Sequence, residues 1–282
     1  MNDYYQGVVE YFNQKAAAYD DVDKQLYWVL SDKFFKTILD KELSIDLAQK
    51  EHVRLLDAGA GTGRWTLVLE ELFGNKITSG QLIDISPGML AEAEKKIAKR
   101  GLDKKYTCTV GNIENLSMID DEQFDWSISF YNVISFVESP SKALHEISKK
   151  LKVGGLHISV IANKYHAYYF SILTNRLREL DNVRQNSKIK FNDAMPAIHC
   201  FTPKETRQLY LNNGFSAVRV LGGPNFIYPG MEETNIHGST KQIVNKLIDA
   251  DNFNKILDLE LTHYGDSDVV GRSNVLLIIA KK

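Results

Sequence analysis

The 282-residue sequence predicts an α/β fold, a doubly wound and mostly parallel seven-stranded sheet with helices on both faces. Three observations predict it. From Val53 onward, short β-branched runs alternate with amphipathic stretches. The amphipathic stretches carry helix punctuation, such as Pro87 near a start and Gly101 just past an end. A glycine turn, "DAGAGTGR", joins the first strand to the helix after it.

Residues 1–50 precede the alternation and are helical in pattern, with Val8, Tyr11 and Phe12, then Leu26, Val29, Leu30, Phe34 and Ile38 at three- and four-residue spacings. They are expected to form an N-terminal helical cap on a main domain of residues 51–282. "VRLLDA" then reads as a strand and "RWTLVLEELF" as a helix. "ITSGQLIDI" is the second strand and "PGMLAEAEKKIAKRG" its helix. "KYTCTV" and "FDWSISF" are the third and fourth strands. "SPSKALHEISKKLKVGG" reads as a helix that starts after Pro140 and stops at Gly154-Gly155, before the fifth strand "LHISVIA". "TPKETRQLYLNNG" is a helix, and "FSAVRVLGG" and "SNVLLIIAKK" are the last strands.

Two insertions interrupt this order, at about 163–202 and 223–271, the second containing the helical pattern "TKQIVNKLIDADNFNKILDLELTHYG". Each follows a strand that is expected to run toward the carboxyl edge of the sheet, where open α/β sheets bind ligands. Both are therefore expected to act as lids that enclose a small-molecule acceptor.

Composition excludes several classes. Apolar residues make up 44% and charged residues 25%, ordinary for a globular protein. A net charge of −2 gives no support for a nucleic-acid partner. The two cysteines, Cys108 and Cys200, are far apart without metal-ligand spacing, so no metal site or disulfide is expected. The N-terminus lacks the pattern of a secretory signal, and the longest strongly apolar run, Val275 to Ala280, is too short to cross a bilayer. A cytoplasmic protein without a membrane partner is expected, as a monomer or homodimer.

The glycine turn selects among ligands. A dinucleotide fingerprint needs a third glycine where Arg64 stands, and a P-loop needs Lys-Ser or Lys-Thr after the glycines. Asp57, just before the turn, would repel phosphate and attract a cation. Asp84 ends the second strand, about twenty residues on, where nucleotide-binding sheets hold ribose hydroxyls. A nucleoside with a cationic tail and no phosphate satisfies all three, and S-adenosylmethionine is such a ligand.

Residues from Val53 to about Leu156 resemble the core of the class I S-adenosylmethionine-dependent methyltransferases. "LLDAGAGTGRWT" resembles their glycine motif, "LIDISPGML" their second motif and "VGNIENLSM" their third-strand exit. "FDWSISFYNVISFV", "LHEISKKLKVGGLHISV" and "FTPKETRQLYLNNGFSAVRVLG" continue the likeness in order. The resemblance implies a Rossmann-like methyltransferase fold, with S-adenosylmethionine converted to S-adenosylhomocysteine. It also implies roles. Gly59, Ala60 and Gly61 would approach the methionine part and Asp57 its ammonium group; apart from the resemblance, Arg64 is expected either to reach the cofactor carboxylate or to be a solvated helix charge. Asp84 would hold the ribose, with Ile85 and Met89 against the adenine. Asn112 stands where the family often has an aspartate that meets the adenine amino group, and Ile113 and Glu114 follow it. Phe130 would lie where methionine meets acceptor, and Tyr19 would close over the cofactor.

The expected chemistry is in-line displacement by an O, N or C atom of the acceptor. If the nucleophile must lose a proton, His199, His166 and Tyr131 are the candidate bases. The aromatic residues Tyr165, Tyr168, Tyr169 and Phe170 fit core packing as well as acceptor contact. Three alternatives stay open: a methyltransferase for RNA or protein, a cofactor-binding protein without catalysis, and a nicotinamide oxidoreductase. The Asp/Asn-Pro-Pro signature of nitrogen-directed nucleic-acid methyltransferases is absent, and "FYNV" stands in its place.

Overall fold

A computed structural model describes residues 2–228 and 246–282. In chain order the strands are β1 (Val53–Ala58), β2 (Ile77–Asp84), β3 (Tyr106–Val110), β4 (Phe124–Ser129), β5 (Leu151–Ala162), the short β6 (Lys188–Ile189) and β7 (Ile198–His199), β8 (Ala217–Gly223) and β9 (Val275–Lys281). Seven of them form one sheet in the order β3-β2-β1-β4-β5-β9-β8. The pairs from β3 through β5 are parallel, and only β9 runs against its neighbours. That is the doubly wound, mostly parallel sheet expected of the sequence.

The helices among the described residues are α1 (Asp3–Lys15), α2 (Leu26–Leu47), α3 (Arg64–Phe73), α4 (Pro87–Lys99), α5 (Val133–Phe136), α6 (Pro140–Lys150), α7 (Lys164–Leu173), α8 (Leu177–Asn186) and α9 (Pro203–Leu211), then helices at Ala250–His263 and Ser267–Val270; a 3-10 segment, Ala16–Lys24, links α1 to α2. Their starts follow from local chemistry. Ser86 and Ser139 cap α4 and α6 through their side chains, each followed by Pro at the first helical position, where its missing N–H costs nothing. Thr202 and Glu205 make a reciprocal capping box on α9.

Successive sheet residues face opposite layers. Leu55, Leu277 and Ile279 join a core with Phe34, Phe35, Ile38 and Leu39 of α2, Leu69 of α3 and Leu90 of α4. Leu56, Leu276 and Ile278 pack instead on Leu144 and Ile147 of α6 and Tyr210 of α9. α2 thus shares its core with the sheet.

The helix read through Gly154-Gly155 ends earlier. Leu151 leaves α6 and pairs with Phe124, so β5 starts there and runs for 12 residues. A fully buried Leu151 is more favourable in the sheet than one more helical turn would be. The 163–202 insertion leaves the sheet at Asn163 and returns beside it, where Asn163 and Phe201 are bridge partners. It encloses a small core of its own, with Phe170, Val183, Ile189 and Ile198. In the second insertion, the expected helix is present over Ala250–His263, and its stretch 240–245 lies outside the described residues.

Candidate cofactor site

The winding reverses between β1 and β4, since β2 and β3 are added on one side and β4 and β5 on the other. Loops that leave neighbouring strands at such a point diverge and open a crevice at the carboxyl edge. A cavity of about 850 Å³, counted out to its mouth, fills that crevice.

The glycine turn forms its floor. Gly59 has φ +90°, and a Cβ there would stand 2.2 Å from Val133 Cγ1, so only glycine lets this backbone meet α5. Gly61 has φ +53° and nothing within 4 Å of where a Cβ would be, so its backbone borders open space. The Gly61 N–H donates to Asp84 Oδ2 at 2.8 Å, and the Ser86 N–H donates to Asp84 Oδ1 at 2.8 Å. Each carboxylate oxygen can still accept another bond, which suits a pair of ribose hydroxyls.

Asp57 is buried at the end of β1 and accepts from Thr66 Oγ1 at 2.6 Å. Burial pushes its carboxyl up to about 7; the Thr66 bond pulls it back in part, and the Asp84 charge adds to the rise. Burial raises Asp84 as well. A cavity with two carboxylates on its walls disfavours phosphate and stabilises a cation. Ile85, Met89 and Ile113 give the apolar wall against which a base can lie.

Cover comes from the N-terminal elements. Tyr5, Val8 and Phe12 of α1, then Tyr19, line the cavity. Asn13 Oδ1 accepts from Ser86 Oγ at 2.7 Å and from the Gly88 N–H at 2.9 Å, which seats α1 on the start of α4. Asp20 accepts from Thr62 Oγ1 at 2.8 Å and pairs with Lys96 at 2.5 Å, across the glycine turn. On the opposite rim, Tyr4 Oη donates to Phe136 O at 2.8 Å, and Tyr5 Oη accepts from the Glu138 N–H at 3.0 Å. No described residue of the two insertions lines the cavity, because they leave the sheet farther along, from β5 and β8.

At the β4 exit, Phe130 stacks on Trp65 with ring centroids 4.2 Å apart. Tyr131 and Asn132 follow with φ +55° and +69°. Two consecutive non-glycine residues in this region cost on the order of 1–3 kcal/mol each. The bond from the Asn132 N–H to Val160 O, 2.8 Å, helps hold them.

Residues 55–155, which carry the glycine turn, Asp57, Asp84 and the β4 exit, match the methyltransferase domain family. The chain carries an S-adenosylmethionine-dependent methyltransferase domain. Among its relatives, an uncharacterized protein of Methanocaldococcus jannaschii is 28% identical over 184 residues, 64% of this chain and 63% of that protein. The demethylmenaquinone methyltransferase of Leptospira interrogans is 27% identical over 233 residues, 78% of this chain and 88% of that one. A solved structure from Thermotoga maritima, described as an S-adenosylmethionine-dependent methyltransferase and possible histamine N-methyltransferase, superposes with a TM-score of 0.57 at 18% identity, covering 97% of this chain and 99% of that chain. That likeness concerns the fold.

The residues of the methyltransferase domain fit its cofactor. Tyr19, Asp57, Gly59, Ala60, Gly61, Arg64, Asp84, Ile85, Met89, Asn112, Ile113 and Phe130 all line this cavity, as does Tyr131. Asn112 Oδ1 accepts from the Glu114 N–H at 2.9 Å, so an adenine amino group would have to use its second lone pair. Arg64 donates to Asp32 Oδ2 from Nε at 3.1 Å. When bound, S-adenosylmethionine supplies a methyl group on a positively charged sulfur.

Three expected site residues lie elsewhere. Glu114 does not line the cavity; it accepts from the Ser139 N–H at 2.5 Å and ties the β3 exit to α6. His199 also lies outside it, with Nε2 3.2 Å from Glu138 O and its ring stacked on Phe201. His166 is buried among Tyr169, Phe170, Phe191 and Tyr228, accepts at Nε2 from Asn274 Nδ2 at 3.0 Å, and is held down to about 4 by burial. Neither histidine reaches the reacting centre in this arrangement.

Sequence reasoning missed Asp32, Trp65 and Val133. A signal existed for Asp32, an acid between Trp28 and Phe35 on one face of α2.

Proposed function

We propose that the protein transfers a methyl group from S-adenosylmethionine to an enclosed small-molecule acceptor by in-line displacement. The observation that carries this reading is the α1 cover. It is tied to α4 through Asn13 and to the far rim through Tyr4 and Tyr5, so the cavity is roofed rather than open to a macromolecular surface. The leaving group is a neutral thioether, so the protein's main task is alignment, which supplies on the order of 7–11 kcal/mol in favourable cases. Trp65, Phe130 and Tyr131 present ring faces and edges at the β4 exit, and aromatic faces stabilise a nearby cation by roughly 0.5–2 kcal/mol.

The same ring-lined wall favours a planar aromatic acceptor, and demethylmenaquinone, for which the Leptospira relative is named, is one candidate. The test is incubation with methyl-labelled S-adenosylmethionine and a cell extract separated into metabolites and macromolecules. Label in a metabolite, identified by mass, is the expected result. Label confined to RNA or protein would overturn the reading.

A further inference from the structure

Beside the cofactor residues the cavity holds a phenol–carboxylate pair, Tyr131 and Asp32, to which the cofactor gives no role. Tyr131 Oη donates a short hydrogen bond to Asp32 Oδ1. Arg64 donates to Asp32 Oδ2 from Nε at 3.1 Å and from Nη2 as well. Tyr131 and Arg64 line the cavity, and Asp32 stands behind them on α2. Trp28 and Phe35, a turn to either side of Asp32, pack edge-on to the Tyr131 ring with centroids 5.8 and 6.4 Å away. These rings cover one side of the phenol–carboxylate pair, which is half-buried. The left-handed backbone at Tyr131 sets the phenol in place at a cost an ordinary strand exit would avoid.

We propose that Tyr131 and Asp32 form a proton relay for an acceptor whose nucleophilic oxygen or nitrogen carries a hydrogen. The proposal rests on the methyl transfer proposed above. As the acceptor atom bonds to the methyl carbon, the carbon–sulfur bond breaks with its electron pair on sulfur. The acceptor's proton passes to Tyr131 Oη, and the phenol's own proton passes to Asp32 Oδ1. Charge is conserved in the exchange. The cavity loses the sulfonium charge in the same step in which protonation of Asp32 leaves Arg64 uncompensated, so the net charge around the reacting atoms is unchanged. Tyr131 touches the acceptor. Asp32 acts through it, as a positioning residue that also receives the displaced proton.

The first test is carbon-13 NMR of protein labelled at tyrosine Cζ, with S-adenosylhomocysteine bound and Tyr131 assigned by Tyr131→Phe. Asp32→Asn is expected to move the Tyr131 resonance and let the phenol ionise at lower pH. An unmoved resonance overturns the relay whatever the acceptor. The second test is the rate of label transfer into the metabolite extract. Tyr131→Phe and Asp32→Asn should each lower it about 10²–10⁴-fold, the ordinary worth of a general base. The loss should persist at saturating cofactor, the deficit should shrink as rising pH ionises the acceptor itself, and Asp32→Glu should recover part of the rate. A variant with the wild-type rate, or a deficit that is constant with pH, overturns the proposal. Absence of transfer by the wild-type protein would instead refute the function above and the relay with it, whereas an unmoved Tyr131 resonance with transfer intact refutes the relay alone.

Discussion

Cofactor binding should weaken as pH falls, and Asp57 sets the size of the effect. In the free protein burial pushes this carboxyl up to about 7. A cationic ligand binds the ionised form, so its arrival pulls the carboxyl back toward its ordinary range and expels a proton whenever the pH is below 7. Affinity is therefore constant above about pH 8 and falls close to tenfold per unit below 7. At pH about 5.5 roughly one Asp57 in thirty is ionised, so S-adenosylmethionine should bind about 30-fold more weakly than at pH 8, a loss of about 2 kcal/mol. Asp84, also raised by burial, contributes in the same direction. Titration calorimetry in two buffers of different protonation enthalpy reads both the affinity and the proton released. Asp57→Asn keeps an acceptor for Thr66 but removes the charge, so its profile should be much flatter and its affinity at pH 8 lower by about 1.5–3 kcal/mol. Equal affinity at both pH values would refute this reasoning. An unaltered slope in Asp57→Asn would move the titration to another group.

Asp84→Ala should weaken cofactor binding by about 1.5–3 kcal/mol through loss of charge-assisted hydrogen bonds, as measured by calorimetry. Gly59→Ala places a methyl group 2.2 Å from Val133 Cγ1 at φ +90°, so urea unfolding should show a loss of about 1–3 kcal/mol. Val133→Ala in the same chain should recover part of it. Asn13→Ala removes the acceptor of two hydrogen bonds that seat α1, and stopped-flow should show faster release of S-adenosylhomocysteine with only a small drop in stability. His157 is held down to about 3 by burial. A histidine whose folded value is depressed adds stability above its unfolded value of about 6.5, and loses it as pH falls toward the folded value. His157→Gln should therefore reduce the slope of stability against pH by about 1.4 kcal/mol per unit between pH 4 and 6.

The sheet and the cofactor half of the site were legible in the sequence because both are local. Strand and helix periods are written in consecutive residues, and the turn residues Gly59, Gly61 and Asp84 follow from backbone geometry next to known strand ends. The α3 bounds, Arg64–Phe73, match the helix read from "RWTLVLEELF". The half of the cavity away from the glycine turn was less legible. It is lined by α1 and the β4 exit, distant in sequence, with α2 standing behind Tyr131 and Arg64, and which face of α1 or α2 turns toward it depends on packing that no period states. Asp32 and Tyr131 are 99 residues apart. His166 and His199 were read as bases from their places in an insertion. That insertion closes on its own core, which keeps both away from the cavity.

A crystal structure with S-adenosylhomocysteine bound should show ribose hydroxyls within hydrogen-bond distance of both Asp84 oxygens, the amino group on the Asp57 side of the glycine turn, and adenine against Ile85, Met89 and Ile113. A ligand bound outside this cavity, or one with its ribose away from Asp84, would contradict this placement.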